Sequence, residues 1–273
     1  MGLNSVLQHL DINNISLQNR IVFPAFQTNF ATRDGFVTDR LLRIYGKLSE
    51  GGSGLIIVGG IAVSDDGTPN TNALKINHDE HISGLKKLFS LIKKNGAVPA
   101  AQLIHAGRQT LSAMTGHPLV APSAIPCPVM KETPVELDRN GIKRIQDDFA
   151  DAAGRAKKAG AELIELHGAF GYLIGAFLSP YSNKRTDEYG ADKALFFTEI
   201  IEKVKRNVGD TPISCRISAD EFVDGGLTLN DTIKIVPRLV DAGVDVISVG
   251  AGTYASMKHM APTMDMGEGV HVY

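Results

Sequence analysis

The residues best suited to catalysis lie in one short segment, His167-Gly168-Ala169-Phe170-Gly171-Tyr172. An imidazole and a phenol this close in sequence can hold a carbonyl oxygen and deliver a proton beside it. A buried run of strand-forming residues, Leu163-Ile164-Glu165-Leu166, directly precedes them. We therefore expect His167 and Tyr172 at the carboxyl end of a strand, where barrel enzymes keep their catalytic groups. The alternative is that both side chains only bond loop backbone.

Two further buried runs end in polar residues. Gln102 and His105 close one of them, and Arg216 lies near the end of the other. A glutamine at this place is either a satisfied core amide or a group that reads the edge of a ligand. A buried arginine needs a partner, so Arg216 either pairs with Asp220 or Glu221, or faces an anionic or electron-rich ring. The residues alone leave these alternatives open.

Two other barrel chemistries are disfavoured. A Schiff-base enzyme requires a lysine inside a strand, and none of the buried runs contains one. The histidines do not form the clusters that metallohydrolases use. The two cysteines, Cys127 and Cys215, do not have the spacing of metal ligands. We therefore predict no metal site.

The polar residues must be positioned by alternating strands and helices. Six short buried runs alternate with longer amphipathic patterns, which is typical of βα units and a parallel sheet. The runs cover Ile21–Phe23, Leu55–Val58, Ala97–Ile104, Leu163–Leu166, Ile213–Ile217 and Val246–Val249. A doubly wound sheet has the same alternation, but its GxGxxG turn is absent and the long polar loops all follow strands. We predict an α/β fold of the TIM (β/α)8-barrel type, with about six of its eight βα units present.

Residues 1–273 are expected to form a single barrel domain that is incomplete at its C-terminus. One helix is predicted after Thr38, one from Asn77 with Glu80 as its capping partner, and one capped by Thr228 and Asp231. An incomplete parallel barrel leaves strand edges unpaired, and such edges allow self-association into a homo-oligomer.

The composition is that of an ordinary globular protein, with 43% apolar and 21% charged residues. A net charge of −2 gives no basic surface for nucleic acid. No run approaches the ~18 consecutive apolar residues that a membrane span needs, and the N-terminus lacks the layout of a signal peptide. We expect a cytoplasmic protein that acts on a small-molecule substrate and binds neither nucleic acid nor a membrane.

Six motifs in order resemble the Old Yellow Enzyme family of NAD(P)H:flavin oxidoreductases, particularly bacterial 2-enoate and 2,4-dienoyl-CoA reductases. They are Asn19–Pro24, Gln102–Arg108, His167–Tyr172, Phe177–Pro180, Asn183–Gly190 and Arg216–Glu221. The resemblance covers nearly the whole chain, and the ordered set is more specific than any single motif.

The resemblance implies an FMN-binding barrel in which NAD(P)H reduces the flavin and the flavin passes hydride to an activated C=C bond. The implied substrates are α,β-unsaturated carbonyl or enoyl and dienoyl compounds. His167 matches the donor to the substrate carbonyl, and Tyr172 matches the proton donor to the α-carbon. The implied flavin contacts are Pro24, Ala25, Phe26, Gln27, Gly60, Gln102 and Arg216.

Two departures from the family pattern affect function. Phe170 stands where the family usually has His or Asn as a second carbonyl donor, and losing one such donor typically costs about 2.7–4 kcal/mol of barrier. The glycine-arginine segment of the family's flavin phosphate site, on the loops after strands seven and eight, is not found.

These departures leave two alternatives. One is a truncated, catalytically inactive barrel fragment. The other is a family member with altered oxidative chemistry, such as amine oxidation, in which Phe170 contacts the substrate. Tyr254, which follows the sixth run, then either contributes to substrate binding together with His167 and Tyr172 or is a packed loop tyrosine.

Overall fold

Six parallel strands form the central sheet of the computed structural model, which describes residues 3–260. We number them β1 to β6 in chain order: Val22–Phe23, Leu55–Ala62, Val98–Ile104, Leu163–Gly168, Ile213–Ser218 and Val246–Gly250. All six predicted runs are strands. The second is longer than predicted, because Gly59 and Gly60 lie inside β2 instead of ending it.

A long helix follows each of the first five strands. These helices are α1 to α5: Asp39–Glu50, Ile82–Lys94, Arg139–Ala159, Leu195–Val208 and Leu229–Asp241. The Thr38 side chain accepts a hydrogen bond from Leu41 N at the start of α1. Thr228 and Asp231 form a reciprocal capping box at the start of α5. Both predicted helix starts are therefore confirmed.

The predicted helix start at Asn77 is wrong. A 3-10 turn covers Asp79–His81, and α2 begins only at Ile82, with no side chain capping either element. The Asn77 Oδ1 is buried without a hydrogen-bond partner among the described residues. Asn77 and His78 therefore precede the first helical turn, and the local capping bond that the sequence pattern indicated is not formed.

Smaller elements fill the connections. Short helices cover Leu3–Val6, Ser112–Thr115, Leu173–Leu178, Glu188–Ala191 and Met257–Met260, and a second 3-10 turn covers Tyr254–Ser256. Leu10–Ile12 and Ile15–Leu17 form an antiparallel hairpin. Val120–Ala121 and Val135–Glu136 form a short parallel pair within the long loop after β3.

The strand order distinguishes a barrel from a doubly wound sheet. Consecutive strands are neighbours throughout, in the order β6-β5-β4-β3-β2-β1. A doubly wound sheet reverses its order at a switch point, and no reversal occurs in residues 3–260. The fold is therefore six βα units of the (β/α)8 type, arranged as a partial barrel.

Alternate residues of each strand face two different surroundings. Ile56, Val58, Ile164 and other residues of one face pack against the helices in the main hydrophobic core. The opposite face carries a smaller apolar cluster at the amino ends of the strands. The hairpin closes this cluster, whose buried members are Ile15, Leu17, Leu55, Ile57, Ala100 and Leu163. We call this second face the inner face of the sheet. Toward the carboxyl ends of the strands, its side chains are polar.

The strands β1 and β6 are the two edges of the sheet among the described residues. Apolar side chains on or near them are partly exposed: Val22 is 44% exposed, and Val249 is 51% exposed. On α5, Ile233 and Val240 are also exposed. Within residues 3–260, none of the helices has the length and apolar character needed to span a membrane.

Asn19 ties β1 to the turn before β2, and this contact predicts a large effect on stability. Its Oδ1 accepts hydrogen bonds from Ile21 N at 3.0 Å and Gly54 N at 2.9 Å, and its Nδ2 donates to Gly52 O at 2.8 Å. We expect Asn19→Ala to lower the free energy of unfolding by about 1–3 kcal/mol, because three hydrogen bonds made by a buried side chain are lost together. Urea denaturation measures this change.

Gln18→Ala is the matched control. The Gln18 amide is exposed and reaches the carbonyls of Gly52 and Ser53 only at 3.4 Å. Its loss should change the free energy of unfolding by less than about 0.5 kcal/mol. Equal denaturation midpoints for the two variants would contradict the role given to Asn19.

Candidate active site

Three polar side chains lie side by side on the inner face of β3, β4 and β5, and we call them the lower layer. Gln102 is the register partner of Glu165, and Glu165 is the partner of Ser214. Gln102 Nε2 donates to Glu165 Oε1 at 2.8 Å, and Ser214 Oγ donates to Glu165 Oε2 at 3.0 Å. All three residues are buried. Parallel register therefore joins three strands through one carboxylate.

Burial raises the pKa of Glu165 above its ordinary value. The hydrogen bond from Gln102, the positive charge of Arg216 and the hydrogen bond from Ser214 act in the opposite direction. In the lower layer, two hydrogen-bond donors and a nearby cation thus offset part of the unfavourable effect of burial on the charged form of the acid.

A second set of polar side chains, the upper layer, lies two residues further along β4, β5 and β6. His167 is the register partner of Arg216, and Arg216 is the partner of Ser248. Arg216 Nη1 donates to Ser248 Oγ at 2.9 Å, and the side chain is only half-buried. The guanidinium therefore sits above the lower layer with much of its donor capacity unused in the described residues.

The two acidic residues considered as ion-pair partners of Arg216 bond elsewhere. Asp220 Oδ1 accepts from Phe222 N at 2.7 Å. Glu221 Oε2 accepts from Ser179 Oγ and, at 2.8 Å, from Leu227 N. Neither forms an ion pair with Arg216 in the described part of the chain. This leaves the interpretation in which Arg216 faces a ligand.

The tautomer of His167 follows from its backbone contact. Its Nδ1 accepts a hydrogen bond from Ala169 N at 3.3 Å, so the ring hydrogen lies on Nε2. Burial, together with the positive charge of Arg216, lowers the pKa of His167 to about 3. At neutral pH the imidazole is therefore an uncharged Nε2–H donor.

Tyr172 and Tyr254 meet at the loops after β4 and β6. Their hydroxyl groups are 3.0 Å apart, and the Tyr172 ring also lies edge-on to His167 with 4.9 Å between the centroids. Burial, and then the contact with Tyr254, raises the pKa of Tyr172 well above its usual range. Tyr172 therefore keeps its proton at neutral pH and is an uncharged hydroxyl.

Phe170 is held in an unusual backbone conformation, with φ of 61°. Its N–H donates to Ser218 Oγ at 3.0 Å, and its carbonyl accepts from Gln109 Nε2 at 3.0 Å. Its ring centroid is 5.3 Å from Arg216 Cζ, and the ring packs against Gly250, where a Cβ would come within 2.9 Å of it. The site is therefore apolar where the family usually has a second donor.

The segment after β1 reaches the carboxyl half of β2. Gln27 Oε1 accepts a hydrogen bond from Gly60 N at 2.9 Å. A Cβ on Gly59 would come within 3.0 Å of the Ala25 Cβ and 2.6 Å of the Gln102 Cβ. The structure thus places Ala25 and Gln102 on either side of Gly59, and Gln27 beside Gly60. Pro24 and Phe26 are exposed, and 61% of the Phe26 surface is open to solvent.

Sequence reasoning missed three residues of this arrangement: Glu165, Ser214 and Ser248. A signal was present, because strand residues two apart share a face. Glu165 therefore shares a face with His167, and Ser214 shares one with Arg216. The signal was a polar residue two positions away from a candidate site residue in the same strand.

Comparison with known proteins decides the family. The model of the NADH:flavin oxidoreductase / NADH oxidase family matches residues 5–268. The chain belongs to this family. An NADH oxidase of Thermoanaerobacter brockii is 43% identical over 268 residues, which are 96% of this chain and 41% of that protein. An NADPH dehydrogenase of Bacillus cytotoxicus is 42% identical over 245 residues, 88% of this chain and 70% of that protein.

Solved structures confirm the barrel type. The complex of 2-naphthoyl-CoA reductase with 2-naphthoyl-CoA superposes with a TM-score of 0.89 at 27% identity, covering 93% of this chain and 41% of that one. The Old Yellow Enzyme homologue of Zymomonas mobilis superposes with a TM-score of 0.81 at 26% identity, covering 91% of this chain and 74% of that one. The chain thus spans less than half the length of some relatives.

The inner-face residues fit the ring of FMN, the cofactor of this family. Among residues 3–260 the Arg216 side chain forms one hydrogen bond, to Ser248, so its other N–H groups remain for an electron-rich edge. The Gln102 nitrogen is bonded to Glu165, which leaves its carbonyl oxygen as an acceptor. Gln27 likewise keeps its amide nitrogen after its oxygen has bonded Gly60 N. The set offers donors, an acceptor and a cation to one flat ligand.

A groove of about 700 Å³ lies elsewhere, between α3 and the loops after β2 and β3. Its lining includes four carboxylates, Asp65, Asp66, Asp148 and Asp151, two arginines, Arg144 and Arg155, and none of the inner-face residues. Arg144 forms ion pairs with Asp66 and Asp148. The flavin is not assigned to this groove, because none of the candidate flavin-binding residues lines it.

The neutral state of His167 is directly testable. We expect its imidazole resonances in NMR spectra to stay constant between pH 5 and pH 8, because the pKa is lowered to about 3. The 15N shifts should show an unprotonated Nδ1 and a protonated Nε2. His167→Gln assigns the resonances by their disappearance. A titration with a midpoint near that of free histidine, ~6.5, would contradict the assigned burial and charge environment.

Proposed function

We propose that this protein is an FMN-dependent oxidoreductase that transfers hydride from NAD(P)H, by way of the flavin, to an activated C=C bond. The substrate class is an α,β-unsaturated carbonyl compound or an enoyl or dienoyl derivative. The observation that carries the proposal is the shared inner face. Gln102 and Arg216, which can bind the flavin ring, lie beside His167 and Tyr172, which can bind and protonate a substrate.

Binding of FMN is assigned to residues in or directly after four strands, β1, β2, β3 and β5. When bound, FMN supplies the hydride chemistry. Arg216 would place a fixed cation beside the ring, and a cation there favours negative charge on a reduced flavin. Gln102 would accept a hydrogen bond from the ring edge. The remaining contacts come from Gly60 and the segment Pro24, Ala25, Phe26 and Gln27.

Substrate activation is assigned to His167 and Tyr172. The His167 Nε2–H donates to the substrate carbonyl oxygen, which draws electron density from the C=C bond. The Tyr172 hydroxyl would supply the proton that the α-carbon of the substrate takes up when the C=C bond is reduced. Burial raises the pKa of Tyr172, so its hydroxyl is protonated at neutral pH. Phe170 and Tyr254 contact the substrate from either side of this pair.

A second candidate function is oxidation of an amine by the same flavin site. It is favoured by Phe170, because an amine does not require a second oxyanion donor. The aromatic group formed by Phe170, Tyr172 and Tyr254 offers π faces to a cationic substrate. The two functions differ in direction, since an enone is reduced whereas an amine donates electrons.

The first prediction of the proposal concerns the flavin. The purified 273-residue chain should bind FMN with an absorption band near ~450 nm that bleaches with NADH or NADPH under anaerobic conditions. Arg216→Met should make the bound flavin harder to reduce and lower its midpoint potential. The matched control is Arg206→Met, which removes an exposed arginine from α4. A protein that carries no flavin band after it has been separated from excess FMN would contradict the proposal.

A second prediction concerns Phe170. Phe170→His should raise kcat for a simple enone, by up to roughly 10²–10³ if the new imidazole reaches the carbonyl oxygen. Phe170→Leu, which removes the ring without adding a donor, should give no increase. An enone rate that is equal in the His and Leu variants would show that the missing donor does not limit reduction. Bleaching of the flavin in the wild-type protein by an amine, with no other electron donor present, would favour the second candidate function.

A further inference from the structure

Glu165 is a buried acid that the proposed mechanism does not use. It is 0% exposed in the middle of β4, and each of its two oxygens has a donor. Gln102 Nε2 lies 2.8 Å from Oε1, and Ser214 Oγ lies 3.0 Å from Oε2. Both partners donate, which is the bonding pattern of an ionised carboxylate.

A structural role alone does not explain an acid at this position. A desolvated carboxylate without a cation in contact is costly, and a glutamine or an apolar side chain could fill the same space more cheaply. No ion pair of Glu165 is formed within residues 3–260. Arg216, in the upper layer, is the positively charged residue that strand register brings nearest to Glu165. Its attraction favours the ionised form of Glu165.

The carboxylate also determines which way the Gln102 amide points. An ionised carboxylate only accepts hydrogen bonds, so the amide must turn its nitrogen toward Glu165. The Gln102 oxygen then lies on the side of Gly59, where it would be 3.1 Å from a Cβ on that residue. A glutamine at position 165 could instead donate, and it would allow the Gln102 amide to turn over.

We propose that Glu165 is a positioning residue for the flavin, which it influences in two ways. Its carboxylate fixes Gln102 as a hydrogen-bond acceptor toward the ring, and its negative charge offsets part of the positive charge of Arg216. Glu165 therefore holds the midpoint potential of the bound flavin below the value that Arg216 alone would set. This inference rests on the proposed binding of FMN by the inner face.

The test compares Glu165→Gln with wild type in the FMN-loaded full chain. The midpoint potential of the bound flavin should rise, because the counter-charge to Arg216 is lost while the shape is kept. Ile164→Val is the control: it removes one methylene from the adjacent, buried residue that faces the helices. It should leave the potential at the wild-type value. An unchanged potential in Glu165→Gln would overturn the electrostatic role.

Glu165→Asp tests the positioning role separately and serves if the glutamine variant does not fold. It keeps the charge but withdraws the carboxylate from the Gln102 amide by one methylene. We expect the Kd for FMN to rise by roughly tenfold, as for loss of a hydrogen bond to a charged group. An aspartate variant with the wild-type Kd would overturn the positioning role.

The outcomes separate this inference from the proposed function. If wild-type protein binds no FMN, the proposed function fails and the inference fails with it. If wild-type protein binds FMN, and Ile164→Val and both Glu165 variants have the wild-type midpoint potential and the wild-type Kd, the proposed function stands. Only the role of Glu165 then fails.

Discussion

The register of the parallel sheet is the constraint on which the rest of this structure depends. Paired residues on neighbouring strands point to the same face, and a slip of one residue would turn an entire strand over. In β4 the residues between the inner-face positions, Ile164 and Leu166, pack in the helix-facing core. The burial of these apolar side chains therefore fixes where Glu165 and His167 point.

The same register places a small number of charges very close together in a medium of low polarity. Arg216 lies between a neutral imidazole, His167, and an acid one layer below, Glu165. Its cation contributes to keeping the imidazole uncharged and favours ionisation of the acid. The guanidinium thus acts in opposite directions on its two neighbours: it disfavours the charged form of His167, and it favours the charged form of Glu165 against the burial that raises the pKa of that acid.

Much of the fold and part of the candidate site followed from the sequence. Alternation of buried runs with amphipathic helices predicted all six strands, and polar residues at strand ends identified His167, Gln102 and Arg216. The contact between Tyr172 and Tyr254 was out of reach, because 82 residues separate them and only the sheet brings their loops together. The bonds of Glu165 depend in the same way on the register between distant strands. The local sequence pattern predicts which face of the sheet a residue lies on. Its contact partners depend on how distant segments of the chain pack together.

A crystal structure of the chain with FMN tests the central claim most directly, because it shows where the ring lies. The account predicts the ring on the inner face of the strands, with the Gln102 oxygen and the Arg216 guanidinium at hydrogen-bond distance from its edge. The Gln102 nitrogen should still be bonded to Glu165. A ring in the groove beside Asp66 and Arg144, or on the inner face without contact to Gln102 and Arg216, would contradict the account.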